Sequence, residues 1–168
     1  MDSARLREIQ RPIKERYRAD PEAAVITLRA QGTLDDSDVA CSVETGRALV
    51  EAGLHPATGG DGTMACSGDM LLQALVGCAG VTLRSVATNR GLDVSGMVRA
   101  EGDLDFRGTL GVDRDAPVGF RTIRLLFELD SGASEQELDD LIATTERYCV
   151  VYQTLTSSPA LEVSMARA

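Results

Sequence analysis

Apolar positions along the chain change period several times. Residues 3–18 form a short polar helical segment that Pro12 is expected to break or kink. Residues 24–30 (AVITLRA) have the β-branched content of a strand, and Asp20-Pro21 before them marks a turn. Gly32 through Asp38 reads as a polar turn region. Residues 39–45 and 47–51 are strand candidates, one strand interrupted at Gly46 being an equal reading. From Gly53 to Gly68 the run GLHPATGGDGTMACSG has little periodicity and reads as a loop.

Ser67 is expected to cap a helix that runs to a stop at Asn89–Gly91, with Asp69 in its first turn suiting the positive end of the dipole. Leu71, Leu72, Leu75, Val76, Cys78, Ala79 and Val81 occupy nearly every face of this helix, which predicts burial on all sides. Residues 94–106 read as a strand broken near Gly102, and 108–119 as a charged loop. Residues 121–129 carry the clearest β period: Ile123, Leu125, Phe127 and Leu129 face one way, Arg124, Leu126 and Glu128 the other. Ser134 and Glu137 form a capping box opening a second helix. Its apolar face runs through Leu138, Leu141, Ile142, Thr145 and Cys149, so Cys149 is expected to point into the core. Leu161, Val163 and Met165 alternate as in a final strand. The order of elements is that of an α+β domain with largely antiparallel pairing.

Length and charge narrow the function classes. The 168 residues, 43% hydrophobic, suit one domain, divided here into an N-terminal helical extension (1–22) and a main domain (23–168). With 17 basic against 26 acidic residues the formal charge is −9, which repels phosphate backbones, so nucleic acid is not an expected partner. The basic cluster Arg11, Lys14, Arg16 and Arg18 reads as a solvated helix face. The N-terminus lacks an apolar core of the secretory type, and the uncharged stretch 70–83 is shorter than the roughly 20 residues of a membrane span. A cytoplasmic protein without a membrane partner is expected.

The glycine-rich loop lacks the Lys-Ser/Thr ending of a phosphate loop and reads as a turn leading into a helix. His55 is the only histidine, which removes metal sites of Cys/His spacing and leaves a serine triad without a GxSxG partner. No cofactor is expected. The four cysteines at 41, 66, 78 and 149 include no CxxC pair. A free cysteine is usually an inert small hydrophobe. Cys78 and Cys149, however, fall on helices facing one core, and Cys78 lies among Gly77, Ala79 and Gly80, which leave room to reach the sulfur. A reactive thiol needs a cation or a helix N-terminus. Cys78 lies three turns into its helix, so an arginine from elsewhere is expected to ionise it. Cys41 and Cys66 read as structural.

The segment SGDMLLQALVGCAGVTL, preceded by the glycine loop TGGDG, resembles the first-cysteine motif of the OsmC/Ohr family of osmotically inducible and organic-hydroperoxide-resistance proteins. LIATTERYCVVYQTL is similar to that family's second-cysteine helix, and the likeness covers roughly residues 38–168. The resemblance implies an interwound homodimer in which antiparallel sheets wrap long central helices. It further implies a thiol peroxidase of oxidative-stress defence. Cys78 would be the thiolate that attacks an organic hydroperoxide, Cys149 would resolve the sulfenic acid to a disulfide, and an external dithiol would restore both. An arginine held by a glutamate at the helix start commonly activates the thiol in this family. Here Ser67-Gly68-Asp69 stands where Pro-Glu-Glu is frequent, so Asp69 is either a shorter substitute or only a dipole residue. Arg47 is the first choice for the arginine, with Arg29, Arg16 and Arg18 open. Val150 stands where proline is frequent. Two alternatives compete: a non-catalytic dimeric module binding a small apolar ligand in its interface pocket, and an interaction role for the basic N-terminal helix.

Overall fold

The computed structural model describes residues 3–34, 41–43, 52–165 and 167, with side chains described for 8–26, 53–165 and 167. Among these, the helix α1 (Ser3–Ala19) runs unbroken through Pro12. It is docked on both sides of that residue, which holds the turn that Pro12 weakens. Ile13 packs on the core, Tyr17 is fully buried with its hydroxyl donating to the Ala57 carbonyl (2.8 Å), and the Gln10 amide donates to the Thr58 carbonyl (3.3 Å).

The main sheet contains β1 (Val25–Leu34), β2 (Cys41–Val43), β5 (Ser95–Asp105) and β6 (Phe120–Asp130), in the spatial order β2-β1-β5-β6 with every pair antiparallel. Two short strands, β3 (Ala52–Gly53) and β4 (Ala65–Cys66), pair in parallel within the segment read as loop. The fold is α+β. Pairing with β5 as far as Thr33, and with β2 as far as Leu34, carries β1 past Gly32 into the turn expected there. In the same way β5 continues past Gly102. A Cβ at Gly102 would lie 2.4 Å from the Phe120 ring on β6, so the glycine makes room for a cross-strand aromatic rather than breaking the strand.

The helix α2 (Ser67–Arg90) packs its buried residues, among them Leu72, Leu75, Val76, Ala79 and Leu83, into the core that β5 lines with Val98, Ala100 and Leu104. Its cap is Cys66, one residue before the expected Ser67, and it ends at Gly91 in the left-handed conformation (φ 66°) that glycine adopts without strain. By length and composition α2 could cross a membrane. Its buried residues instead make it the core helix of this domain. Burial on all sides, however, is not found. Met70 (37%), Leu71 (37%) and Val81 (40%) remain exposed, because α4 and α5 cover only part of the helix surface that the sheet leaves.

A single turn, α3 (Phe106–Thr109), follows β5. The helix α4 (Glu135–Tyr148) opens with the expected capping box: the Ser134 hydroxyl accepts from the Glu137 N–H while the Glu137 carboxylate accepts from the Ser134 N–H. Leu141, Thr145 and Cys149 are buried along its expected face. The chain then turns into α5 (Val150–Thr156). The expected last strand is not formed. Residues 158–165 have no regular structure, and Leu161 (87%), Val163 (96%) and Met165 (83%) are exposed, with no strand beside them among the described residues.

Candidate functional site

Cys149 is not the last residue of a continuous helix. It is extended (φ −73°, ψ 108°), closing α4 and opening α5 at once. Its N–H donates back to the Thr145 carbonyl (2.8 Å), completing α4, and its carbonyl accepts from the Gln153 N–H (2.9 Å), starting α5. Such a break leaves unpaired main-chain groups on both sides. The Gln153 side-chain amide takes one, donating to the Glu146 carbonyl (2.8 Å). Among the first N–H groups of α5, that of Tyr152 donates to Cys149 Sγ (3.5 Å).

The two cysteines, 71 positions apart in the sequence, thus meet at the α4–α5 junction, and both are free thiols. Cys78 is partly buried and Cys149 has no exposed surface. Their environments drive them apart. Burial pushes the Cys78 thiol up. That is outweighed by the Val151 N–H, the Cys149 thiol, the Val150 N–H and the Thr82 hydroxyl, all donating to its sulfur, so that its pKa lies below the ordinary cysteine value. Burial first, and then the hydrogen bond to Cys78 and the Cys78 charge, push Cys149 up to about 11 against the opposing Tyr152 and Val151 N–H groups. One sulfur is prepared to ionise, and the other stays protonated and donates to it. That is the electronic asymmetry needed for a nucleophile and a reserve thiol.

Among the described residues, no guanidinium is one of the groups that lower the Cys78 pKa. Arg47 lies outside the described residues, as does the side chain of Arg29. Arg16 stacks over the Tyr17 ring at 5.0 Å and donates to its hydroxyl, and Arg18 is exposed on the same helix. Asp69 stands nine positions before Cys78, about 14 Å along the axis of α2 at 1.5 Å per residue. Burial raises its pKa, against an opposing pull from His55. Within one chain, therefore, the structure brings Cys78 and Cys149 together and leaves Asp69 apart from them. Thr82, Val150 and Val151 were missed by sequence reasoning. Thr82 was findable, one turn after Cys78 on the same helix face. The main-chain donors have no side-chain signature at all.

A separate cavity of about 380 Å³ opens at the start of α2. It is walled mainly by apolar groups, including Leu54, Leu71, Phe106 and Phe120, with His55 and Cys66 also on its lining. The His55 ring stacks on Phe106 (5.1 Å between centroids), and its Nδ1 accepts from the Ala57 N–H (3.0 Å). Cys78 does not line this cavity. Among the described residues no group of three or more His, Cys, Asp or Glu side chains is placed to hold a metal ion.

Comparison with known proteins agrees with this architecture. Among solved structures, the chain is similar to an OsmC-like hydroperoxide resistance protein from Jannaschia sp. CCS1, with a TM-score of 0.58 and 15% sequence identity over 86% of this chain and 95% of that one. No curated protein sequence matches. The family model described as OsmC-like protein matches residues 60–164, which include both cysteines and every described element from β4 to α5. By that match, over more than half its length, the chain belongs to the OsmC-like family.

Proposed function

We propose that this protein is a thiol peroxidase that reduces organic hydroperoxides. The observation that carries the reading is the pair of adjoining sulfurs, one lowered and one raised in pKa. The Cys78 thiolate attacks the distal peroxide oxygen. The O–O bond breaks, the sulfur is oxidised to a sulfenic acid, and the alkoxide leaves and takes a proton as the alcohol. Loss of the thiolate charge removes what raises Cys149 beyond its burial. Cys149 then attacks the sulfenic sulfur, water departs with the Cys149 proton, and a disulfide forms. An external dithiol reduces it by exchange, returning both thiols.

The active form in this proposal is a homodimer. Met70 and Val81 lie on one exposed side of α2, flanking Cys78, and the apolar alternation at 161–165 has no strand beside it among the described residues. A second copy supplies cover for both. Arg47 stays the candidate guanidinium of this arrangement.

The apolar cavity at the start of α2 favours a second reading, a dimeric module that holds a small apolar ligand while the cysteines only pack. Incubation of the reduced wild-type protein with cumene hydroperoxide and dithiothreitol separates the two. Many turnovers per chain are expected, from a species that sediments at twice the 17.9 kDa of one chain. Absence of turnover with several hydroperoxides and dithiols defeats the peroxidase reading and leaves the ligand module.

A further inference from the structure

One wall of the cavity at the start of α2 is held in place by the N-terminal helix. The Gln10 amide donates to the Thr58 carbonyl (3.3 Å) and the Tyr17 hydroxyl to the Ala57 carbonyl (2.8 Å), so the turn Pro56–Thr58 is fastened to α1. A Cβ at Gly59 would lie 2.5 Å from Ile9 Cγ2, so the two segments are in close contact beyond those bonds as well. His55, which caps the turn, stacks on Phe106 across the same wall. Leu54, Leu71 and Val118, three exposed large apolar side chains, all lie on the lining. Exposed apolar groups gathered around a pre-formed concave space mark a ligand site.

Its polar groups are few, and most are engaged. The Thr58 hydroxyl donates to the His55 carbonyl (2.9 Å). His55 Nδ1 accepts from the Ala57 N–H (3.0 Å), so that nitrogen carries no proton and the ring proton sits on Nε2. Among the described residues nothing accepts from Nε2, which leaves one N–H donor for a ligand. Charge narrows the class further. Asp69 stands in the field of His55, and the chain carries −9 overall, so a ligand carboxylate would meet like charge. The volume of about 380 Å³ is at the small end for ligand pockets and suits a pair of fused rings or a chain of similar bulk.

We propose that this cavity binds a neutral, mainly apolar small molecule carrying a carbonyl-type acceptor, which takes a hydrogen bond from His55 Nε2. This rests on the ligand-binding reading of the cavity and holds whether or not the cysteines turn over hydroperoxide, because Cys78 is not on the lining.

Equilibrium dialysis of the full-length protein against 2-acetylnaphthalene and 2-isopropenylnaphthalene tests it. The two have nearly the same shape, and only the ketone has an acceptor. Partition out of water alone favours the hydrocarbon. The expected result is saturable binding, with the ketone held roughly fivefold tighter. His55→Phe keeps a ring to stack on Phe106 and deletes the donor, so it is expected to lose that preference and still bind the hydrocarbon. Gly119→Leu and Leu71→Trp add bulk to the lining. Gly119 has an ordinary backbone conformation, and a Cβ there meets nothing within 4 Å, so the substitution brings no strain. Each is expected to weaken both compounds by roughly tenfold or more. Cys78→Ser is expected to bind both as wild type does. Circular dichroism confirms the fold of each variant.

Absence of saturable binding, or a wild type that holds the hydrocarbon at least as tightly as the ketone, would overturn the proposal. Loss of binding in Cys78→Ser would also overturn it, by moving the probe to the cysteines, as would unchanged affinities in both bulk variants. Should His55→Phe not fold, the paired compounds and the bulk variants decide it. Hydroperoxide turnover is measured on the same preparations, so the two proposals fail separately. Turnover without saturable binding removes the ligand site alone. Saturable, His55-dependent binding without turnover removes the peroxidase alone.

Discussion

Cys78→Ser is expected to abolish hydroperoxide reduction, by roughly 10⁴-fold or more as for other deleted nucleophiles. A serine hydroxyl is not ionised by the donors that hold a thiolate, and it has no sulfenic state to enter. Cys149→Ser is expected to behave differently. Serine keeps an oxygen where Cys149 Sγ accepts from the Tyr152 N–H, so the α4–α5 hinge survives. That variant consumes one equivalent of hydroperoxide per chain and stops as the Cys78 sulfenic acid, which dimedone traps. The contrast follows from the order of ionisation. While Cys78 is charged, Cys149 is held at about 11 and cannot compete as nucleophile. Continuous turnover in Cys149→Ser would remove it from the cycle.

The second large effect is on stability. Leu141 has no exposed surface and lies on the α4 face that carries Thr145 and Cys149, its carbonyl accepting from the Thr145 hydroxyl (2.8 Å). Leu141→Ala is expected to cost about 3 kcal/mol, the lost burial plus the cavity left beside neighbours that relax only in part. A urea titration reads this as a lower midpoint at unchanged slope. The matched control is Leu126→Ala, on the charged outer face of β6 and 52% exposed, which is expected to stay within about 0.5 kcal/mol of wild type. Leu141→Ala loosens the face that aims Cys149, so the resolving step is expected to slow more than the first oxidation. Equal slowing of both steps would argue against that route.

The parts of the fold legible in the sequence are those fixed by local rules. The Ser134/Glu137 capping box, the alternation of Ile123 to Leu129 and the Gly91 stop of α2 each depend on a few neighbouring residues, and each appears where expected. What the sequence hid depends on distant partners. Gly102 reads as a strand breaker until Phe120 is seen lying over it. The segment 161–165 has strand periodicity but finds no strand partner among the described residues, so the period alone does not form it. At the site, the meeting of Cys78 and Cys149 follows from two apolar faces turned to one core, which periodicity does show. The break at Cys149 leaves no such trace. The run RYCVVYQTL contains neither glycine nor proline, and Val150 attracts notice only as a departure from the proline frequent at that place. Donors that belong to the main chain cannot be read from side-chain identity.

The central claim is most directly tested by mass spectrometry of the reduced protein after a limiting dose of an organic hydroperoxide. A single disulfide joining Cys78 to Cys149, with Cys41 and Cys66 still alkylated as free thiols, is the result that the account requires. Oxidation spread over the four cysteines, or a pair that excludes Cys78, would contradict it.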